Sequence, residues 1–463
     1  MYDAAMAERD QAVNEWIFEF AGKKLLKKEK ILSQMTPQEA LACIAVRVPL
    51  DFNPVPLYPN EQNATAERTF VSDHLRLLLY ADAGFSSIIT TSASEPLLAE
   101  AACRLMVYFR WAHGKAKEPG SRKVLDPLVA TKHHIKQSLL DLGSRGEFIA
   151  ALLLLYARDC ATTFALNDES PPGSSPDKGA HSNPKYDGAY RRRIVTVHQF
   201  LEALLGESKF KACADSFPRA YHKPEHATTP LRDAFGDAFI YFNHFIKVQS
   251  YDVVTQEYLL LAISRGAAII CADGHVGIDI IVPVLIGTVL EKQHVTAILV
   301  QARNSRHYKA KIQYPVFTNM NPYRCGLFDR NVVDPPPVLR MVFALASPEA
   351  AVAVPSGPTR QSARRDRTAK YTAYEIWCAG ASHETFAVVQ ADEDKVVADL
   401  LKLIHDARDL STQEHFSEPV QRVLRQMQPL ASTHRDHIEL FADPVDMGED
   451  LLAEDAEEDA VIE

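Results

Sequence analysis

The chain has 463 residues, of which 47% are hydrophobic, and this is enough apolar mass for two or three packed domains. The formal net charge is -10, but eleven acidic residues fall between Glu439 and Glu463, a stretch without Lys or Arg. The rest of the chain therefore has a formal charge of +1, so its composition does not exclude a nucleic-acid partner. The seven cysteines are scattered singly, which excludes a zinc finger of paired cysteines and indicates a reducing compartment.

Several classes of protein lack support in the sequence. The amino terminus is charged and amphipathic, unlike a signal peptide, and no apolar run is long enough to span a bilayer. We therefore expect a nuclear or cytoplasmic protein without a membrane partner. The Gly-x-Ser-x-Gly motif of serine hydrolases and the local motifs of kinases, dinucleotide-binding enzymes and P-loop proteins are absent, so no nucleotide cofactor is expected.

The first 166 residues are predicted to form an α-helical domain. Thr36 and Glu39 have the spacing of a capping box, with Pro37 at the first helical position. Ser94 can cap a second helix that starts at Glu95, and residues 146–166 form a third helix that is apolar on nearly every side.

Two breaks rich in Pro, Ser and Gly divide the chain, a linker at 167–188 and a basic linker at 347–370. Between them we predict helices at 195–206 and 250–264, then strands at 267–272, 278–287, 296–302 and 337–346. A strand at 373–380 and helices at 395–408 and 417–427 follow. The predicted fold is α+β, with an α/β core over 189–346 and a mixed sheet. Residues 371–438 complete that core, and 439–463 form a disordered acidic tail.

One carboxylate stands out in this pattern, because Asp279 lies near the start of an otherwise apolar strand. A buried carboxylate is costly without a cation, a metal or hydrogen-bond donors. The next predicted strand ends in Gln301 and Arg303, whose period-2 spacing puts both side chains on one face. Gln301 and Arg303 are therefore the expected partners of Asp279.

A helix followed by three strands, with Asp on the second and Gln-x-Arg at the end of the third, resembles the PD-(D/E)XK phosphodiesterase superfamily. The resemblance covers about 250–304 and implies a fold of restriction-endonuclease type. It implies catalytic roles for Glu257 on the helix, for Asp279, and for Gln301 and Arg303 on the third strand. If the site is active, the reaction is endonucleolytic cleavage of DNA or RNA.

The implied cofactor is Mg²⁺, which proteins typically hold through one or two carboxylates, carbonyl oxygens and waters. Asp279 would supply the carboxylate. The side-chain oxygen of Gln301 and the main-chain carbonyl of Ala302 would supply further ligands.

Two positions depart from the family pattern. The last position is usually Lys, whereas Arg303 stays protonated and can only stabilise charge or hold phosphate. The Pro before the Asp is replaced by Ile278. Three interpretations of the pattern therefore stay open: an active nuclease, an inactive descendant that binds nucleic acid or a protein, and a structural ion pair between Asp279 and Arg303.

Other segments, including 86–106 and 144–161, are similar to parts of large proteins multiplied in mushroom-forming fungi, some of them related to Crinkler-type effectors. Nucleic-acid contacts are expected from basic clusters in or beside the linkers, namely Arg191, Arg192, Arg193, Arg364, Arg365 and Arg367. The acidic tail either solubilises the chain or docks on a partner or a basic groove.

Overall fold

The computed structural model describes residues 22–25, 36–52, 68–69, 71–74, 76–81, 88–92, 94–107, 127–136, 140–141, 145–164, 194–272, 275, 277–355 and 370–402. Several predicted features lie outside these residues: the linker 167–188, the helix 417–427, the acidic tail, and the basic residues Arg191, Arg192, Arg193, Arg364, Arg365 and Arg367.

The predicted helices of the first segment are confirmed where the structure describes them. Thr36 is the N-cap of the first helix, and its side chain and that of Glu39 form the expected reciprocal capping box. The helices are α1 (Pro37–Arg47), α2 (Pro96–Val107), α3 (Pro127–Lys136) and α4 (Arg145–Phe164).

This segment also contains strands that the sequence pattern does not predict. They form two small antiparallel sheets, β1 with β4 and β2 with β3. Very short strands give little periodicity to detect, which explains why the two residues each of β1 and β4 escaped prediction. The strands are β1 (Asp51–Phe52), β2 (Arg76–Ala81), β3 (Ile88–Ser92) and β4 (Leu140–Asp141).

The remaining elements build a nine-stranded sheet and the helices around it, and every predicted strand in this region is confirmed. The strands are β5 (Val195–Thr196), β6 (Ala238–Ile240), β7 (His244–Lys247), β8 (Ala267–Ile270), β9 (Ile280–Ile286), β10 (Val295–Arg303), β11 (Val338–Ala344), β12 (Ala351–Ala353) and β13 (Ala373–Ala379). The helices are α5 (Val197–Leu205), α6 (Glu207–Ala214), α7 (Leu231–Ala234), α8 (Gln256–Ser264), α9 (Tyr314–Asn319) and α10 (Asp394–Lys402). Short 3-10 helices span Pro224–Thr228, Tyr251–Val253 and Lys292–His294.

The sheet is mixed. Its longest path runs β12-β13-β11-β10-β9-β6-β5, and β8 pairs with β9 and with β7. Strands β8, β9 and β10 form an antiparallel meander, while β11 lies parallel to both β10 and β13. The chain is therefore an α+β protein with helices and a mixed sheet, whereas the predicted domain limits remain predictions.

Helices cover the central strands on both faces. Helix α8 packs on β8, β9 and β10, and its Leu259 joins a buried cluster with Leu299 and Trp377. On the opposite face, Gly146 at the start of α4 lies so close to Ala302 that an added Cβ would sit 3.7 Å from the Ala302 Cβ. Burial on both faces explains why the central strands read as continuous apolar runs.

No helix in the described part of the chain is long and apolar enough to cross a membrane.

A buried ion pair joins the first helices to the sheet. Arg47, at the end of α1, donates to both carboxylate oxygens of Asp159 on α4, at 2.7 and 2.8 Å. Its Nε donates to the carbonyl of Asn243, next to β7, at 2.9 Å. Burial alone would raise the pKa of Asp159, but the charge and hydrogen bonds of Arg47 outweigh it and hold the pKa below its ordinary value.

The first prediction concerns this pair. Arg47→Ala would remove the bidentate partner of the buried Asp159 carboxylate and leave it with the longer hydrogen bond from Arg158, at 3.3 Å. The variant is expected to lower the free energy of unfolding by about 3–5 kcal/mol. The control is Arg232→Ala, which breaks an exposed ion pair with Asp215 and should cost less than about 1 kcal/mol. Urea titrations of both variants measure the difference, and equal losses would contradict the assignment.

Candidate functional site

Asp279 lies immediately before β9, and hydrogen bonds fix its main chain on both sides. Its N–H donates to the carbonyl of Val300 on β10 at 3.0 Å, and its carbonyl accepts from the N–H of Cys271 at 2.8 Å. The pairing of Ile280 with Val300 places Asp279 beside Gln301, at the end of the ladder between β9 and β10. The meander therefore brings together two residues that are 22 positions apart in the sequence.

The partner of the Asp279 carboxylate differs from the expected one. Its Oδ2 accepts a hydrogen bond from the main-chain N–H of Ala302 at 2.6 Å. Among the described residues, neither Asp279 nor Arg303 takes part in an ion pair. The expected structural ion pair between them is therefore not formed. The N–H of Ala302 lies beyond the last pair of the ladder between β9 and β10. The Asp279 carboxylate accepts its hydrogen bond in place of a main-chain carbonyl.

The environment of Asp279 favours its protonated form. Burial raises the pKa of this carboxyl above its ordinary value, and the hydrogen bond from Ala302 and the charge of Arg303 lower it only in part. Holding the charged form here costs free energy, because one donor does not replace the lost hydration.

Gln301 carries an unsatisfied polar atom. The residue is 3% exposed, and its Oε1 has no hydrogen-bond partner among the described residues. A buried acceptor without a donor costs about 1–3 kcal/mol, and such an atom in a native protein calls for a specific cause such as a bound ion or water. Gln301 therefore offers a free oxygen ligand next to the Asp279 carboxylate.

Arg303 is on the same face of β10 as Gln301 but is directed towards an aromatic ring. Its guanidinium carbon lies 5.4 Å from the ring centroid of Tyr308, within the range of a cation–π interaction. Tyr308 in turn packs against Trp377, with ring centroids 6.4 Å apart. Arg303 is only partly exposed, and its Nε is buried without a hydrogen-bond partner among the described residues.

The structure does not bring Glu257 to the other predicted site residues. Glu257 is exposed on the first turn of α8. The neighbouring Gln256 donates to the carbonyl of Val295, at the beginning of β10, with a distance of 2.8 Å. Gln301 lies near the other end of that strand, about 20 Å away at the usual rise per residue.

Two other groups at this end of the sheet were not identified from the sequence. Burial and, after it, the charge of Asp279 raise the pKa of the Cys271 thiol well above its ordinary value, so this cysteine is protonated at neutral pH. The charge of Glu147, on the first turn of α4, acts in the same direction. Glu147 is thus a second carboxylate near Cys271, and no local pattern could have linked residues so distant in sequence.

The oxygen ligands present are suited to Mg²⁺. Within the described ranges, no group of three or more His, Cys, Asp or Glu side chains is positioned to hold a metal ion. A cation at Asp279 would draw its other protein ligands from neutral oxygens, Gln301 Oε1 and the Ala302 carbonyl. Mg²⁺ prefers such hard oxygen ligands and usually keeps several waters, so the residues fit this ion.

The loop before Asp279 is fixed by a close backbone approach. Gly277 has φ +74°, a conformation that other residues adopt at a cost, and a Cβ added there would lie 2.6 Å from the carbonyl oxygen of Asn319, the last residue of α9. The glycine thus lets α9 lie directly against the segment that leads into the site.

Comparisons with protein-family models, curated proteins and solved structures found no match.

Gly277→Ala is expected to destabilise the protein by more than the strain of a positive φ alone, because a backbone atom must move. Gly287→Ala is the matched control, since Gly287 has φ +73° but its added Cβ would meet nothing closer than 3.8 Å. We expect a loss of about 1–2 kcal/mol for Gly287→Ala, from strain alone, and a larger loss for Gly277→Ala. Urea unfolding measures both, and losses of the same size would argue against the close approach of Asn319.

Asp279→Asn tests the electrostatics of the site. Because the pKa of Asp279 is raised on folding, the folded state binds its proton more tightly than the unfolded state, and this contribution to stability is lost as pH rises through the raised pKa. In EDTA the variant should therefore gain in Tm relative to the parent protein at pH 7 and lose that gain near pH 4. Asp252→Asn, at an exposed position, controls for the removal of a carboxylate. A lower Tm for Asp279→Asn at pH 7 would contradict this expectation.

Proposed function

We propose that the chain is a nuclease-derived protein of PD-(D/E)XK type that binds Mg²⁺ and a nucleic-acid phosphodiester at the Asp279 end of the sheet. Two features support the family assignment. Helix α8 and the antiparallel strands β8, β9 and β10 follow one another in the order on which the resemblance rests. Asp279 and Gln301 also lie side by side where β9 begins and β10 ends.

The observation that carries the proposal is the unpaired Gln301 Oε1 beside an Asp279 carboxyl with a raised pKa. Both groups are unfavourable as they stand. A divalent cation would accept both oxygens as ligands, and its charge would lower the pKa of Asp279. Mg²⁺ therefore accounts for the two features together, whereas a purely structural role for Asp279 leaves Gln301 without an explanation.

Each residue has a defined task in this proposal. Asp279 supplies the ligand charge, while Gln301 and the carbonyl of Ala302 supply neutral oxygens. Bound Mg²⁺ would neutralise phosphate charge and favour ionisation of a water. Arg303 stays protonated, so it can hold a phosphate oxygen but cannot act as a base.

Nucleic acid is the proposed partner because the tail-free chain is close to neutral and its basic residues are clustered. Contacts from Arg191, Arg192, Arg193, Arg364, Arg365 and Arg367 to phosphates belong to this proposal, as does a nuclear or cytoplasmic location. The affinity should then decrease steeply with salt, since each phosphate contact releases counterions.

A second candidate function has a specific observation in its favour. Arg303 packs on Tyr308, and Glu257 lies away from Asp279, so two of the four expected catalytic residues are not directed at the proposed metal. A protein that keeps the fold but uses this face to bind a protein partner would have the same arrangement. Such a role is compatible with the replacement of the family's usual Lys by Arg303, which cannot act as a base. It is also compatible with retention of a cation site.

Arg303→Lys distinguishes the two candidate functions. If the site is a nuclease whose activity is reduced by an arginine that cannot deprotonate, the lysine variant should nick plasmid DNA, or cleave RNA, faster than the parent protein in Mg²⁺. The double variant Asp279→Asn with Arg303→Lys should be inactive, because the carboxylate ligand is lost. The assay follows conversion of supercoiled plasmid and of a labelled single-stranded RNA, with and without EDTA.

Mg²⁺ binding is measured separately by isothermal titration and by the gain in Tm. Saturable Mg²⁺ binding that is lost in Asp279→Asn, without cleavage by Arg303→Lys, would leave a cation-dependent binding protein. Absence of Mg²⁺ binding to the folded parent protein would reject the proposed site.

A further inference from the structure

A second group of polar side chains lies at the other end of β8, away from Cys271 and Asp279. Ser94 Oγ is 2.8 Å from His244 Nε2, and His244 Nδ1 is 2.7 Å from the Oδ1 of Asn243. His244 begins β7 and pairs with Ala267, the first residue of β8. A hydroxyl, an imidazole and an amide thus form a continuous hydrogen-bonded chain.

The neighbours of Asn243 determine the direction of each hydrogen bond in this chain. The Asn243 amide nitrogen donates to the carbonyl of Pro96 and to the Oε2 of Glu100, both at 3.0 Å. Its Oδ1 is therefore the acceptor that faces His244, and Nδ1 of the imidazole must carry the proton. Nε2 is then an acceptor, so the Ser94 hydroxyl donates its proton to it.

Burial holds this arrangement in one orientation. His244 and Asn243 are each 1% exposed, whereas Ser94, two residues before the start of α2, is partly exposed. Burial, together with the charges of Arg47 and Arg265, lowers the pKa of His244 to about 4, and the carbonyl of Gly266 opposes this shift. The imidazole is therefore neutral at pH 7, with the lone pair of Nε2 directed at the hydroxyl.

A cation lies beside the hydroxyl. Arg265, which is exposed, places Nε 3.4 Å from Ser94 Oγ and donates through a terminal nitrogen to the Ser94 carbonyl at 2.5 Å. A fixed guanidinium next to a nucleophile can stabilise an oxyanion formed there. Two exposed leucines are close in sequence to these groups, Leu97 three residues after Ser94 and Leu261 four residues before Arg265.

From this geometry we propose that Ser94 is the nucleophile of an acyl-transfer site, with His244 as its general base. Asn243 is a positioning residue that fixes the tautomer of His244, and Arg265 stabilises the oxyanion. The exposed leucines indicate carboxylic esters with a short apolar acyl group as the substrate class. Such a triad is defined by geometry and not by sequence order, so the absence of a local serine-hydrolase motif does not bear on it.

The reaction balances with these groups and one water. Ser94 Oγ attacks the ester carbonyl while its proton moves to His244 Nε2, and the tetrahedral intermediate collapses with loss of the alcohol, which takes that proton. Water then attacks the acyl-serine, its proton passes through Nε2 to Ser94 Oγ, and the carboxylic acid leaves. Because general-base strength follows the pKa, the low pKa of His244 predicts slow turnover.

The test uses the full chain and a fluorophosphonate probe, in which a new bond from Ser94 Oγ to phosphorus replaces the phosphorus–fluorine bond. Intact mass and peptide mapping should find one adduct, on Ser94, and none in Ser94→Ala. His244→Gln should slow labelling by about 100-fold or more. Ser264→Ala, which removes an exposed hydroxyl next to Arg265, should label like the parent protein. Hydrolysis of p-nitrophenyl butyrate should follow the same order among the variants.

Peptide mapping of the parent protein does not depend on any variant folding. Absence of an adduct on Ser94, under conditions that fully label a serine esterase run in parallel, would overturn the proposal. So would equally fast labelling of Ser94 in a His244→Gln variant that keeps the Tm of the parent protein. Ester hydrolysis without Ser94 labelling would also assign the activity to another group.

Discussion

The central strands are buried on both faces, so every polar group placed among them needs a partner from the protein or from a ligand. Helix α8 covers one face and helix α4 the other. Where the ladder between β9 and β10 ends, the N–H of Ala302 would lack an acceptor, and the Asp279 carboxylate supplies one. The same constraint makes the unpaired oxygen of Gln301 informative, because an exposed amide in that state would need no explanation.

The two candidate sites have opposite electrostatics. At the Asp279 end, burial raises the pKa of a carboxyl, and the Gln301 acceptor oxygen is unpaired. Oxygen acceptors thus lack donors at this end, and such an environment suits a cation. At the His244 end, burial and two arginines lower the pKa of an imidazole, and Arg265 adds positive charge beside a hydroxyl. The first arrangement suits a metal and the second suits a developing oxyanion.

The link between the first helices and the sheet also positions the second site. Asn243 accepts from Arg47 through its carbonyl and donates to Glu100 through its side chain, so the groups that hold α1 and α2 against the sheet also orient His244. Arg158 donates to Glu100 as well as to Asp159, which balances two buried arginines with two buried carboxylates. A network of this kind retains its geometry because breaking one member leaves another charge unmatched.

Periodicity and capping patterns in the sequence by themselves determined the capping box at Thr36, the course of α4, and the strands β8, β9, β10, β11 and β13, because these depend on contacts within one turn or one strand. Strand β12 was missed, since its three residues lie in a stretch that the sequence predicted to be a linker. The same patterns identified Asp279 and Gln301 as unusual in their apolar setting. Only the tertiary structure decided that Asp279 accepts from Ala302 and not from Arg303, that Glu257 lies at the far end of β10, and that Ser94 meets His244. Those outcomes depend on strand register and on packing between segments up to 150 residues apart, which local periodicity does not encode.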